Sequence, residues 1–331
     1  MRMGRRVDEL SIDEIRQRYL DKGELISQQA LNRLRRDPRQ GVRQLCSVLK
    51  KRFERQRDER LRLEAMMHFE QVLWKSGVTD IAGVDEVGVG PLAGPVVAAA
   101  VMFPPETAIA GVDDSKRLDP EARTSLAAEI RIRASGIGIG VASVDEIDTI
   151  NIYHAALLAM RRAVEALPRK PQHVLVDART VPGIEAPQNM FNKGDGINFS
   201  IAAASIVAKT ERDRIMVALD EAYPGYGFAT HKGYGTPEHR DALLQLGPSA
   251  IHRMSFPVLH ELQGEYSALF YSLKGRLDAA CNRTALTEFE LELRAQAESL
   301  PLQECKKLRL LVARRWNTVD RAPPANATSG G

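Results

Sequence analysis

Cysteine is scarce in this chain, with three residues in 331, at positions 46, 281 and 305. They show neither the short spacing of a zinc site nor the even framework of a disulfide-stapled domain, so Cys46, Cys281 and Cys305 are expected to be reduced thiols, buried or partly buried. Long apolar runs are missing as well. No stretch approaches the roughly 18 residues that cross a bilayer, and MRMGRR leads into charged residues rather than an apolar leader; both point to a cytoplasmic protein with no membrane partner. Strong net charge is also absent, at +3 overall. The balance is nevertheless uneven, because residues 1–78 hold 19 lysines and arginines against 12 aspartates and glutamates. A basic front segment attracts polyanions at long range, although a helix face laced with arginine is more often simply solvated.

What is present is an ordinary globular composition, 44% hydrophobic and 27% charged, in a chain long enough for one large core with extensions or for two domains. SIDEIRQRYL opens with a serine cap and an acidic first turn. From Arg39 to Gly77 apolar residues recur at helical spacing, interrupted by the polar KKRFERQRDER, a solvent-facing stretch of helix or a hinge. The texture then changes. TDIAGVDEV, GPVVAAAVMF, GIGIGVASV and HVLVDA are short, apolar and bounded by Gly or Pro, as buried strands are, with helical patterns at 119–133 and 152–167 between them. The first strands follow too closely for parallel crossovers, so antiparallel neighbours come first and a parallel strand later in an α/β core. A long helix is expected from Asn198, another from Thr236 to a stop at Gly247, and more helix over 259–316.

Asp85 and Glu86 stand together at the end of the first predicted strand. Successive strand side chains point to opposite faces, so for both to reach one ligand the strand must bend or stop there, and the glycines and proline of VGVGPLAGP supply the means. A dinucleotide loop is disfavoured: Gly88, Gly90 and Gly94 have the wrong spacing, Pro91 intervenes, and a strand follows instead of a helix. Asp177 ends another strand and Asp195 lies in NKGDG ahead of the Asn198 helix. Four carboxylates at element ends suit an oxygen-rich Mg2+ or Mn2+ site better than zinc, while each taken alone also fits a cap or turn.

GVDEVGVGPLAGPVVAAAV, DDSKRLDPEAR, EIDTINIYHAALLAMRRAV, VLVDA, KGD, IAAASIVAKTERDRIM, YPGYGFATHKGYGTPEH and GPSAIHRMSF follow in order between residues 81 and 256. Together they resemble bacterial ribonuclease HII, with residues 1–78 similar to an N-terminal extension that some members carry. The resemblance implies a ribonuclease H-like fold, a mixed five-stranded sheet flanked by helices, with added helical segments at both ends. The segments expected are a basic helical extension over 1–78, a catalytic domain over 79–260, a C-terminal helical extension over 261–317 and a disordered tail over 318–331.

The activity it implies is metal-dependent endonucleolytic cleavage of the RNA strand of RNA/DNA hybrids, and cutting 5' to ribonucleotides embedded in duplex DNA. The mechanism would be two-metal-ion hydrolysis with Mg2+ or Mn2+, leaving 5'-phosphate and 3'-hydroxyl ends. Asp85, Glu86, Asp177 and Asp195 match the family's catalytic and metal-binding acids. Ser205 and Lys209, with Asp213, recur at four-residue spacing on one helix face and are candidates for phosphate contact, as are Ser115 and Lys116. Tyr234 matches a tyrosine that stacks at the RNA-to-DNA junction, while His231, His239 and His252 are expected to make structural hydrogen bonds. Gly88, Val89 and Gly90 occupy the turn that reads the ribose 2'-hydroxyl, where the family usually has Gly-Arg-Gly; the arginine is replaced here by Val89. A monomer is expected. The alternative is a catalytically weak or silent hybrid-binding module of the same fold, which would be expected to lack one of the four acids.

Overall fold

The computed structural model describes residues 6–263 and 266–319. The chain forms two compact units, one from Met1–Val87, Val97–Val141 and Ala156–Arg212, the other from Gly88–Val96, Ala142–Ala155 and Asp213–Gly331.

The first unit is built on a five-stranded sheet of order β3-β2-β1-β4-β5, the strands being β1 (Ile81–Val87), β2 (Val96–Met102), β3 (Gly136–Ala142), β4 (His173–Asp177) and β5 (Gln188–Phe191). β1 pairs antiparallel with β2 and parallel with β4, and β4 pairs parallel with β5, so the sheet is mixed. β2 is buried along its whole length, which explains its unbroken VVAAAVM. Leu126, Ala127 and Ile130 of the helix Pro120–Arg133 and Phe199, Ala203 and Ile206 of the helix Phe199–Ala222 pack in one core with Ala99 and Val101. Where Gly140 of β3 meets the chain, a Cβ would lie 1.9 Å from the Ala159 carbonyl oxygen, so backbone lies directly on backbone.

The basic N-terminal region divides between two cores. Val7 to Leu49 form a cluster of their own, whereas Leu63, Met66 and Met67 belong to the core that includes β2. The polar KKRFERQRDER is continuous helix within Gln40–Met66, not a break. Ser11 caps its helix as expected, accepting the Glu14 N–H at 3.1 Å while Glu14 accepts the Ser11 N–H at 2.7 Å.

In the second unit, Leu92, Met216, Phe228, Leu243 and Leu259 share one core. The helices Ala268–Ala279, Arg283–Ala295 and Leu302–Val319 enclose another, around Phe270, Leu286 and Leu308. Thr236 caps the helix Pro237–Leu246, which stops at Gly247. The expected tail over 318–331 lies outside the described residues from position 320 onward. All three thiols are free; Cys46 and Cys305 are buried, but Cys281, in the short connection before Arg283–Ala295, is exposed rather than partly buried.

Candidate active site

β1 fixes the first acid. Ile81, Gly83 and Asp85 share one face of the strand, and a Cβ on Gly83 would fall 2.1 Å from the Ser200 carbonyl carbon. Only glycine lets the start of the helix Phe199–Ala222 lie that close to the strand. Two residues further along the same face, Asp85 is 4% exposed and hydrogen-bonds the Ser205 hydroxyl. Ser205 and Ser115 hydroxyls are 2.9 Å apart. With Asp85 ionised it can only accept, so Ser205 donates to it and Ser115 donates to Ser205.

Of the bend or stop expected at the acidic pair, the stop does not occur. Pairing with β2 continues through Asp85–Ala99 and Glu86–Ala98 to Val87–Val97. Pairing with β4 ends earlier, at Val84–Val176, which leaves Asp85 and Glu86 beyond that ladder. The loss of one neighbouring strand, not the end of β1, is what opens space for the two carboxylates.

Asp177 closes β4. Ala178 turns sharply away with φ 58, and Asp177 Oδ1 accepts the Gly194 N–H at 2.7 Å. Gly194 opens the short turn Gly194–Gly196, which carries Asp195. Asp195 is buried, and its Oδ2 receives the Lys116 ammonium at 3.1 Å. Lys116 itself is largely exposed. Burial works against its charge, but Asp195, with Asp114 and Asp85, raises its pKa above the usual lysine value.

Asp85 feels the charges of Glu86, Asp177 and Asp195. Burial first, then the Glu86 charge, with smaller contributions from Asp177 and Asp195, push Asp85 well above the ordinary carboxylate range. Burial and Asp177 push Glu86 up to about 7, with Arg179 and Lys116 opposing. Asp177 is raised chiefly by burial, against the Gly194 hydrogen bond. Glu86 Oε2 is buried with no hydrogen-bond partner among the described residues. Among the described residues no group of three or more acidic, histidine or cysteine side chains is arranged to hold a metal ion. A hard-oxygen donor set with an unpartnered buried carboxylate oxygen and raised proton affinity is the chemistry that a divalent cation satisfies.

Of the predicted phosphate contacts, Ser115 and Ser205 are buried and bonded to each other, so in this arrangement they support Asp85. Lys116 and Lys209 retain solvent access. Gly88, Val89, Gly90 and Tyr234 belong to the second unit, where a Cβ on Gly90 would lie 4.0 Å from the Tyr234 ring and Leu92 N–H donates to Gly233 O at 2.8 Å.

His239 and His252 form a hydrogen-bonded relay, on which the His231 ring stacks with centroids 4.4 Å apart. His239 Nδ1 lies 2.9 Å from the Tyr234 carbonyl, so it carries the proton and leaves Nε2 as an acceptor. His252 Nδ1 accepts the Ser249 N–H at 2.8 Å, so its Nε2 donates to His239 Nε2 at 3.0 Å. His231 donates through Nε2 to the Tyr226 carbonyl at 2.7 Å and accepts the Gly233 N–H through Nδ1. These are structural hydrogen bonds, and they fix the turn that carries Tyr234.

Two contributors are not evident from sequence. Glu70, on the helix His68–Lys75, is buried against Asn198 and Ser200. Arg253 is buried against the loop over 88–95. Arg253 stands in the motif GPSAIHRMSF, but Glu70 looks like any acid on an amphipathic helix.

Comparison with known proteins gives a consistent result. The family profile "Ribonuclease HII" matches residues 82–258, and "Ribonuclease HII N-terminal domain" matches residues 11–74. A ribonuclease HII of Myxococcus xanthus (strain DK1622) is 50% identical over 255 residues, covering 77% of this chain and 87% of that protein. One from Geobacillus thermodenitrificans (strain NG80-2) is 50% identical over 234 residues, 71% of this chain and 90% of that one. The crystal structure of ribonuclease H2 from Pyrococcus horikoshii OT3 superposes with a TM-score of 0.47 at 25% identity, covering 56% of this chain and 97% of the other.

Proposed function

Since the chain belongs to the ribonuclease HII family, metal-dependent endoribonucleases acting on RNA/DNA hybrids, we propose that it also cuts 5' to ribonucleotides embedded in duplex DNA, leaving 5'-phosphate and 3'-hydroxyl ends. Asp85, Glu86, Asp177 and Asp195 would hold Mg2+ or Mn2+. When bound, a pair of such ions lowers the pKa of the attacking water and offsets charge on the departing oxygen. The single observation that carries this reading is the buried, unpartnered Glu86 Oε2 inside a cluster in which Asp85, Glu86 and Asp177 are held above their ordinary pKa.

The chain's own groups divide the remaining work. Asp85 is oriented by the Ser115–Ser205 hydroxyl pair and by the Glu86 N–H at 2.8 Å. Gly194 N–H holds one oxygen of Asp177 in place, and Lys116, seated on Asp195, offers its ammonium to a substrate phosphate. Lys209 lies one turn beyond Ser205 on the same helix and suits a second phosphate contact. Tyr234, 42% exposed, offers a ring for stacking against a sugar or base. Glycines 88 and 90 let backbone amides approach the sugar closely.

A monomer acting in the cytoplasm completes the proposal, and sedimentation with and without duplex tests the oligomeric part. The enzymatic part is tested with end-labelled duplexes carrying one ribonucleotide or a continuous RNA tract, in Mg2+ and in Mn2+, with Asp85→Asn as control. Cleavage on the 5' side of ribonucleotides in both, lost in the control, is expected. Tight binding of both duplexes without cleavage would favour the silent hybrid-binding module instead.

A further inference from the structure

Arg253 is fully buried, and its guanidinium is turned onto backbone. Nε donates to the Gly94 carbonyl at 2.9 Å and Nη1 to the Val89 carbonyl at 3.1 Å. Nη2 reaches the Gly88 carbonyl at 2.6 Å and the Pro95 carbonyl at 3.4 Å. Its own backbone N–H donates to Leu92 O at 2.9 Å. One residue thus holds both ends and the middle of the loop over 88–95. Arg253 is itself secured, with the Phe256 ring centroid 5.2 Å from the guanidinium carbon. Asp148 accepts the N–H groups of Met254 at 2.9 Å and Ser255 at 3.0 Å, fixing the next turn.

These bonds set the orientation of two peptide planes. In a trans peptide the carbonyl of one residue and the N–H of the next point in opposite directions, and the described chain contains no cis bond. With the Gly88 and Val89 carbonyls drawn onto Arg253, the N–H groups of Val89 and Gly90 face away from it. Gly90 is exposed, and neither amide donates to a backbone acceptor among the described residues. The resemblance to the family implies that this turn reads the ribose 2'-hydroxyl, and two adjacent donors facing away from Arg253 suit that acceptor.

We propose that Arg253 is the positioning residue for ribonucleotide recognition in this chain, locking the loop so that the Val89 and Gly90 amides act as a fixed pair of donors to the 2'-oxygen. This rests on the ribonuclease reading of the site. Val89 carries no charge, and the buried Arg253 guanidinium is already bonded to carbonyls, so discrimination falls on backbone donors whose direction Arg253 sets.

Two variants test it. Arg253→Lys keeps the charge but replaces a planar fork of three nitrogens with one, and Phe256→Leu loosens the guanidinium without removing it. Each is assayed with wild type on single-ribonucleotide and continuous-tract duplexes, with thermal melting as the control for folding. The KM for the single-ribonucleotide duplex should rise about 10- to 100-fold in Arg253→Lys and several-fold in Phe256→Leu, while kcat and half-saturating Mg2+ stay within about twofold. A folded Arg253→Lys with wild-type KM and wild-type preference overturns the proposal. Should that variant melt below the assay temperature, an unchanged KM in Phe256→Leu overturns it instead. Wild-type protein that cuts neither duplex would remove the underlying ribonuclease reading, a failure distinct from either of these.

Discussion

Glu70 Oε1 accepts both the hydroxyl of Ser200, at 2.7 Å, and its backbone N–H, at 3.1 Å. Oε2 accepts from the Asn198 side chain at 3.1 Å. The carboxylate is 1% exposed at the N-terminus of the helix that also carries Ser205 and Lys209. Burial raises its pKa, while the Ser200 and Asn198 donors work the other way. A helix within the segment read from sequence as an extension therefore caps a helix of the candidate active site.

Glu70→Ala is expected to cost about 2–4 kcal/mol of stability and to lower kcat, because it leaves buried donors unmatched; Glu70→Gln should cost less. Urea denaturation alongside cleavage kinetics checks both. A variant that loses stability but keeps full kcat would show that the cap serves folding alone.

The same interaction decides where the basic segment can be cut. Deleting residues 1–76 removes Glu70 together with Leu63, Met66 and Met67 of the sheet core, and should abolish folding. Deleting residues 1–55 keeps them. If the basic helices grip duplex, the shorter deletion should reduce the slope of log binding constant against log salt by about 0.9 for every phosphate those helices neutralise. An unchanged slope in fluorescence anisotropy titrations would leave these helices a packing role.

Asp85→Asn should abolish cleavage and, without divalent cation, raise stability by about 2 kcal/mol, since it removes one of several repelling buried charges. Wild-type stability in chelator should also depend on pH. Glu86 has a folded pKa of about 7 against an ordinary 4.5, so the folded state keeps a proton that the unfolded chain gives up. That stabilisation is present below 4.5 and is lost as pH rises through about 7. Melting curves in chelator and in Mg2+ from pH 5 to 8 measure it, and a flat profile in chelator would contradict the rise that burial and then Asp177 impose on Glu86.

His252 has the opposite sign. Burial, and then the neighbouring His239, hold its pKa at about 4 instead of 6.5. Its neutral form contributes stability above pH 6.5 that is lost as pH falls through about 4, on the order of 3 kcal/mol. The stability difference between wild type and His252→Gln should shrink by that order between pH 7.5 and 4, as followed by urea denaturation. A constant difference would mean that the relay is not held neutral.

Val89→Arg should increase cleavage of the single-ribonucleotide duplex about tenfold, the order of one charge-assisted hydrogen bond, with little effect on the continuous tract. The Val89 carbonyl remains available to Arg253, so the loop should tolerate the change. Equal rates before and after, in a folded variant, would mean that the site has been rebuilt around valine.

Much of this was legible in the sequence because it rests on local pattern. The apolar runs of β1 to β4, the Ser11 and Thr236 caps and the acids at strand ends are each written within a few adjacent residues. β5 is not legible from pattern: Gln188–Phe191 is a four-residue edge strand, half of it exposed, with no apolar run to betray it. The continuation of β1 past Asp85 depends on which neighbour stops first, a tertiary fact. Glu70 and Arg253 were hidden for a related reason, since their partners lie more than a hundred residues away and charged side chains are ordinarily assigned to the surface.

Gly83 carries a consequence at the level of the gene. Every first- or second-position base change in a glycine codon that still encodes an amino acid adds at least a Cβ, and at residue 83 that atom would meet the backbone of Ser200 at 2.1 Å. Third-position changes are silent. Natural variation at this codon should therefore be synonymous almost without exception, although the residue itself holds no metal, moves no proton and touches no substrate.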